Sequence, residues 1–82
     1  MNNNQFFIDQ PARYRLCLEG KVNSDWTDWL LDVSISFENN QTFLTGTVRD
    51  QAALFGLLSY VRDLSVPLRL VEFIRSVQGE NQ

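Results

Sequence analysis

The chain has no histidine and a single cysteine, Cys17, among its 82 residues. Without histidine it lacks the side chain that most often binds metals and most often moves protons near neutral pH. One cysteine cannot close an internal disulfide, which suits a reducing compartment. Cys17 reads as a small residue on a strand face; a reactive thiolate needs a neighbour that lowers its pKa, and no histidine is there to do so. Basic residues are also scarce, seven against ten acidic, for a net charge of -3. That is the wrong sign for a chain whose main partner is nucleic acid, and no such partner is expected. No stretch approaches the roughly 18 apolar residues of a membrane span. The start, Met1-Asn2-Asn3-Asn4-Gln5, lacks the basic region and apolar run of a secretory signal. The expected setting is the cytoplasm, with no membrane contact. No catalytic constellation, metal motif or phosphate loop stands out, so the expectation is a non-enzyme with no cofactor and no metal.

What is present suits one small core. The chain is 44% hydrophobic, with two tryptophans, two tyrosines and six phenylalanines. That fills a compact domain but leaves little for a deep substrate cavity. Domains of this size often gain stability by associating. The pattern divides the chain into a flexible Asn/Gln-rich leader (1–12), a single α+β domain (13–75) and a flexible polar tail (76–82). The leader holds one apolar knot, Phe6-Phe7-Ile8. It is either a solvated tail or a segment that docks on the domain or on a neighbouring subunit.

Arg13 to Gly20 alternates, with Tyr14, Leu16 and Leu18 on one face and Arg13, Arg15, Cys17 and Glu19 on the other, as a half-buried strand does. Asn23 or Ser24 can cap a short helix over Ser24 to Leu31, with Asp25 and Asp28 in its first turns and Trp26, Trp29 and Leu30 on one face. The alternative is an irregular loop with the tryptophans folded inward. Val33, Ile35 and Phe37 predict a second strand. Asn39-Asn40 is a turn signal, and Thr42 to Val48 a third strand with Leu44, Gly46 and Val48 on the core face. Asp50 is the N-cap of the strongest element, a helix to Leu64 with a wide apolar stripe. Gly56 in its middle costs about 1 kcal/mol relative to Ala, unless something packs closely there. Pro67 stops the helix, and Leu68 to Ile74 predicts a fourth strand with both faces largely apolar.

The resulting order, β-α-β-β-α-β, predicts a ferredoxin-like α+β domain. Its four-stranded antiparallel sheet would carry two helices on one face, with the first and third strands central.

Several segments carry a resemblance: Tyr14-Arg15-Leu16, Trp26-Thr27-Asp28-Trp29, Leu44-Thr45-Gly46-Thr47-Val48, and the helix motif Asp50-Gln51-Ala52-Ala53-Leu54-Phe55-Gly56-Leu57-Leu58. Together, over about Tyr14 to Phe73, they resemble a family of small uncharacterised bacterial proteins of cyanobacterial and actinobacterial type. The resemblance supports the fold reading and implies no activity.

Asp25 and Asp28 read as charges complementing a helix dipole rather than as an acid/base pair, which would need a pocket. Arg13, Arg15, Phe43, Thr45 and Thr47 would share an open sheet face, but one aromatic and an acidic chain are poor material for RNA. The two-sided fourth strand is more telling. Val71 and Phe73 are expected to form an apolar patch on the open face, joined by Phe43 and by Phe6, Phe7 and Ile8. The leading expectation is a protein-protein interaction module that self-associates as a homo-oligomer, or binds a protein partner, through these six residues. The alternative is an ACT-like regulatory domain that binds a small molecule, for which Gly20-Lys21-Val22-Asn23 would be the turn.

Overall fold

The computed structural model describes residues 10–77. Among these residues the fold has four strands and one helix: β1 (Ala12–Glu19), β2 (Leu31–Glu38), β3 (Gln41–Val48), α1 (Gln51–Asp63) and β4 (Leu68–Ser76). All strand pairs are antiparallel, and the sheet order is β2-β3-β1-β4. The first and third strands are therefore central and the other two form the edges.

The hairpin between β2 and β3 turns on Asn39 and Asn40, which both adopt positive φ (51° and 63°). Asparagine tolerates that region, and such a turn matches the twist of the flanking strands. Asp50 caps α1, its Oδ1 accepting the Ala53 N–H at 2.8 Å. Leu57 and Val61 project from the helix into a core shared with Leu16, Leu18, Leu44 and Val48 on β1 and β3.

One expected element is absent. Ser24 to Leu31 is not a helix, so the domain is β-β-β-α-β and the ferredoxin-like reading with two helices is incorrect. The cause is local. Asp25 Oδ1 accepts hydrogen bonds from the Thr27 N–H at 3.1 Å and the Thr27 hydroxyl at 2.7 Å, and such bonds compete with a helical backbone. They also hold the exposed Asp25 carboxyl below its ordinary pKa, the Thr27 hydroxyl being the larger cause. A single turn remains, in which the Trp26 C=O accepts from Trp29 N–H at 3.0 Å and Leu30 N–H at 2.8 Å. β2 then starts at Leu31, taking residues a helix would have needed. A helix this short has no stability of its own to set against those demands.

The turn still does the packing expected of a helix. Trp26 and Leu30 are fully buried in the core, and Trp29 lies partly buried against it. The Trp26 and Trp29 rings meet Tyr60 of α1 at 5.5 and 5.7 Å between centroids. Gly56 explains itself here: a Cβ at that position would stand 2.6 Å from Trp29 Cζ3. Gly46 likewise admits Leu30, whose Cβ would be 3.0 Å away, and the Leu31 carbonyl at 3.1 Å. Buried Thr42 ties the incoming loop to the sheet. Its hydroxyl donates to the Gly20 C=O at 2.7 Å and accepts the Val22 N–H at 3.1 Å.

Candidate interaction surface

With one helix and one short turn over the sheet, the central strands are covered and the edges are not. Every residue of β4 is exposed. Leu68, Leu70, Val71, Phe73 and Ile74 are 38% to 53% accessible. Isolated exposed apolar residues are ordinary, but five large ones within seven positions of one strand are not.

The register shows which way they face, because directly opposed residues of an antiparallel pair share a side. On the helix side, Phe73 opposes Tyr14, Val71 opposes Leu16 and Leu68 opposes Leu18. On the open side, Leu70 opposes Cys17, Glu72 opposes Arg15 and Arg75 opposes Arg13. Register shifts between Arg13 and Tyr14 and between Cys17 and Leu18 leave Ile74 and Arg69 as the extra, bulged residues of β4.

This corrects part of the expected patch. Val71 and Phe73 lie on the helix side, not on the open face. Phe43, opposed to Cys17 and Ser36, lies on the open face and does not adjoin them. The apolar residues near it are Cys17 and Leu70 on the open face, with Ile74 lining the same depression. Phe6, Phe7 and Ile8 fall outside the described residues. Leu70 was missed as a surface candidate because alternation alone cannot say which face of β4 is open, and Ile74 because alternation cannot register a bulge.

The open face can be read in rows across the sheet. One row runs Glu72, Arg15, Thr45, Ser34; its neighbour runs Leu70, Cys17, Phe43, Ser36. Arg15 leans over the Phe43 ring, 5.5 Å from its centroid, and is 4.0 Å from Glu72. A shallow depression of about 400 Å³ lies over these rows, its lining including Arg15, Ser34, Thr45 and Ile74. A third row places Arg75 beside Arg13, two like charges directly opposed. Arg13 donates to the Thr47 hydroxyl at 3.2 Å. Arg69 pairs with Glu19 at 3.1 Å.

The other edge differs. On β2, Ile35 and Phe37 are exposed on the helix side, Lys21 Nζ standing 5.7 Å from the Phe37 ring. Its open side presents Ser34, Ser36 and Glu38, and at its start the exposed Leu31, which opposes Thr47. β4 is the edge with the denser run of exposed apolar side chains, five within seven positions.

Among the described residues, no group of three or more Cys, Asp or Glu side chains is placed to hold a metal ion. Among them, too, no helix is long and apolar enough to cross a membrane. Trp26 Nε1 is buried and finds no hydrogen-bond partner among the described residues.

No curated protein and no solved structure matches the chain. A family model does, over residues 13–72, from the start of β1 well into β4, so the matched region contains the entire helix and sheet core. The chain belongs to that family, described as a domain of unknown function (DUF8691).

Proposed function

We propose that this protein is a non-catalytic interaction module of the cytoplasm that self-associates through β4. The observation that carries the reading is the exposure of large apolar side chains on both faces of one edge strand. A helix or loop laid on the sheet would cover one face only. A strand added alongside β4 gives Leu70 on the open side and Val71 and Phe73 on the helix side new cross-strand neighbours at once. It also satisfies the row of backbone groups that an edge strand leaves unpaired.

A second copy is the occupant that the strand's own charges suit. β4 carries Arg69, Glu72 and Arg75, both signs along one edge, as a self-complementary contact requires. A small-ligand role loses its support from fold analogy, because the ACT-like reading depended on two helices. It rests now only on the open-face depression near Arg15, Thr45 and Ser34.

Light scattering on the full chain over a range of concentrations tests the reading. A mass that rises to a discrete dimer or small oligomer, and falls back in Val71→Asp/Phe73→Asp, supports it. A strict monomer at high concentration refutes it. Removing residues 1–10 separates the roles: dissociation on truncation would move the contact from β4 to Phe6, Phe7 and Ile8.

A further inference from the structure

Resting on that self-association, we infer that two copies join β4 to β4 in one antiparallel register, with a two-fold axis at Phe73. Strand pairing through a two-fold requires the axis to run perpendicular to the sheet, so each residue meets one of the same face. Faces on β4 are fixed by its pairing with β1: Leu70, Glu72 and Arg75 point to the open side, Val71, Phe73 and Ser76 to the helix side. Glu72 and Arg75 share a face only because the bulge at Ile74 takes up one residue between them.

With the axis at Phe73 and the bulge passed over, the pairs follow directly. Glu72 faces Arg75 of the second copy, and Arg75 faces its Glu72. Phe73 meets Phe73. Val71 meets Ser76, and Leu70 meets Val77. Each ion pair forms twice. The neighbouring axis positions are worse on charge alone: an axis at Glu72 opposes two glutamates, and an axis at Arg75 opposes two arginines. Like charges directly opposite destabilise a sheet.

The register also answers an oddity within the single chain. Arg75 stands opposite Arg13 on its inner side, and like charges directly opposed disfavour a strand pair. The second copy brings Glu72 to the outer side of Arg75. Glu72 in turn gains a guanidinium on its outer side, where its inner neighbour Arg15 is held only at 4.0 Å. Eight strands would then form one continuous sheet, with both β2 strands at the outer edges.

Charge exchange tests this, read as the dimer dissociation constant by analytical ultracentrifugation. Arg75→Glu opposes two carboxylates across the axis and should weaken association about tenfold, from two pairs worth somewhat under 1 kcal/mol each. Within the chain the same change gives Arg13 an opposite charge, so thermal stability of the monomer should hold or rise. Glu72→Arg should weaken association similarly, though it also loses Arg15. The double exchange restores both pairs in reverse and should return the constant to near the original. As a second measurement, Phe73→Cys should form an intermolecular disulfide on mild oxidation, and Val71→Cys should not. If the chain dimerises but the exchanges are additive and Phe73→Cys does not crosslink, this register is wrong and self-association stands. If the full chain is monomeric at all concentrations, both fall together.

Discussion

Replacing Gly56 with alanine sets two known effects against each other in one position. Glycine in a helix interior is about 1 kcal/mol less favourable than alanine, so the substitution should stabilise α1 if nothing else changed. Here the new Cβ would lie 2.6 Å from Trp29 Cζ3 and 3.3 Å from Cε3 and Cη2. The indole cannot keep its place. It is also engaged with Tyr60, 5.7 Å away between centroids, so moving it disturbs the packing of the whole Trp26–Leu30 turn on the helix. Overpacking of this kind costs about 1–3 kcal/mol. The net for Gly56→Ala is a destabilisation of roughly 0–2 kcal/mol after the gain in propensity is subtracted.

The sign should depend on the ring. In a Trp29→Ala background the obstacle is gone, and Gly56→Ala should then stabilise by about 1 kcal/mol. Urea unfolding followed by circular dichroism on the four proteins of the double-mutant cycle gives both values, and their difference is the coupling between the two sites. If Gly56→Ala stabilises the parent chain by the full propensity gain, the indole yields freely, and close packing is not the reason for glycine in this helix.

Thr42→Val keeps the shape but leaves the Gly20 C=O and the Val22 N–H without their shared hydroxyl partner; a loss of about 1–3 kcal/mol is expected in the same unfolding assay. Asp50→Ala removes the acceptor for the Ala53 N–H and should cost about 1 kcal/mol, whereas Asp50→Asn should cost little. Thr27→Val should raise the Asp25 pKa toward its ordinary value in an NMR pH titration, because the hydroxyl bond is the larger cause of its depression. With the folded pKa depressed, this carboxylate's contribution to stability is present above its unfolded pKa and is lost as pH falls through the folded one. The parent should therefore lose stability over that acid window more than Thr27→Val does.

Much of the domain was legible because its signals are local and mutually consistent. Asp50 with an apolar stripe behind it marks a helix start, Asn39-Asn40 marks a hairpin, and the alternation in β1 and β3 names the core face residue by residue. The segment Ser24 to Leu31 was not legible, because two of its cues point in opposite directions. Trp26, Trp29 and Leu30 have helical spacing, and one turn satisfies that spacing as well as three turns would. Asp25 and Thr27 read equally as helix-start residues or as a side-chain-bonded turn. The requirement that β2 extend to Leu31 decides between them, and that requirement is tertiary.

β4 posed the converse difficulty, since its composition was clear and its parity was not. In Leu68-Arg69-Leu70-Val71-Glu72-Phe73-Ile74 strict alternation puts Val71 and Phe73 on one side, as the sheet does, but it cannot say which side. That depends on the register against β1, where Tyr14 opposes Phe73 and Leu16 opposes Val71. Nor can alternation place Arg75, which it would assign to the face of Phe73. The bulge at Ile74 moves Arg75 to the face of Glu72. An unbulged strand would present its acid and its base to opposite sides, where neither could answer the other across a two-fold axis. A bulge usually blunts an edge against unwanted pairing. In the proposed pairing the same irregularity would let Glu72 and Arg75 meet across the axis, whereas an axis at Glu72 or at Arg75 would oppose like charges.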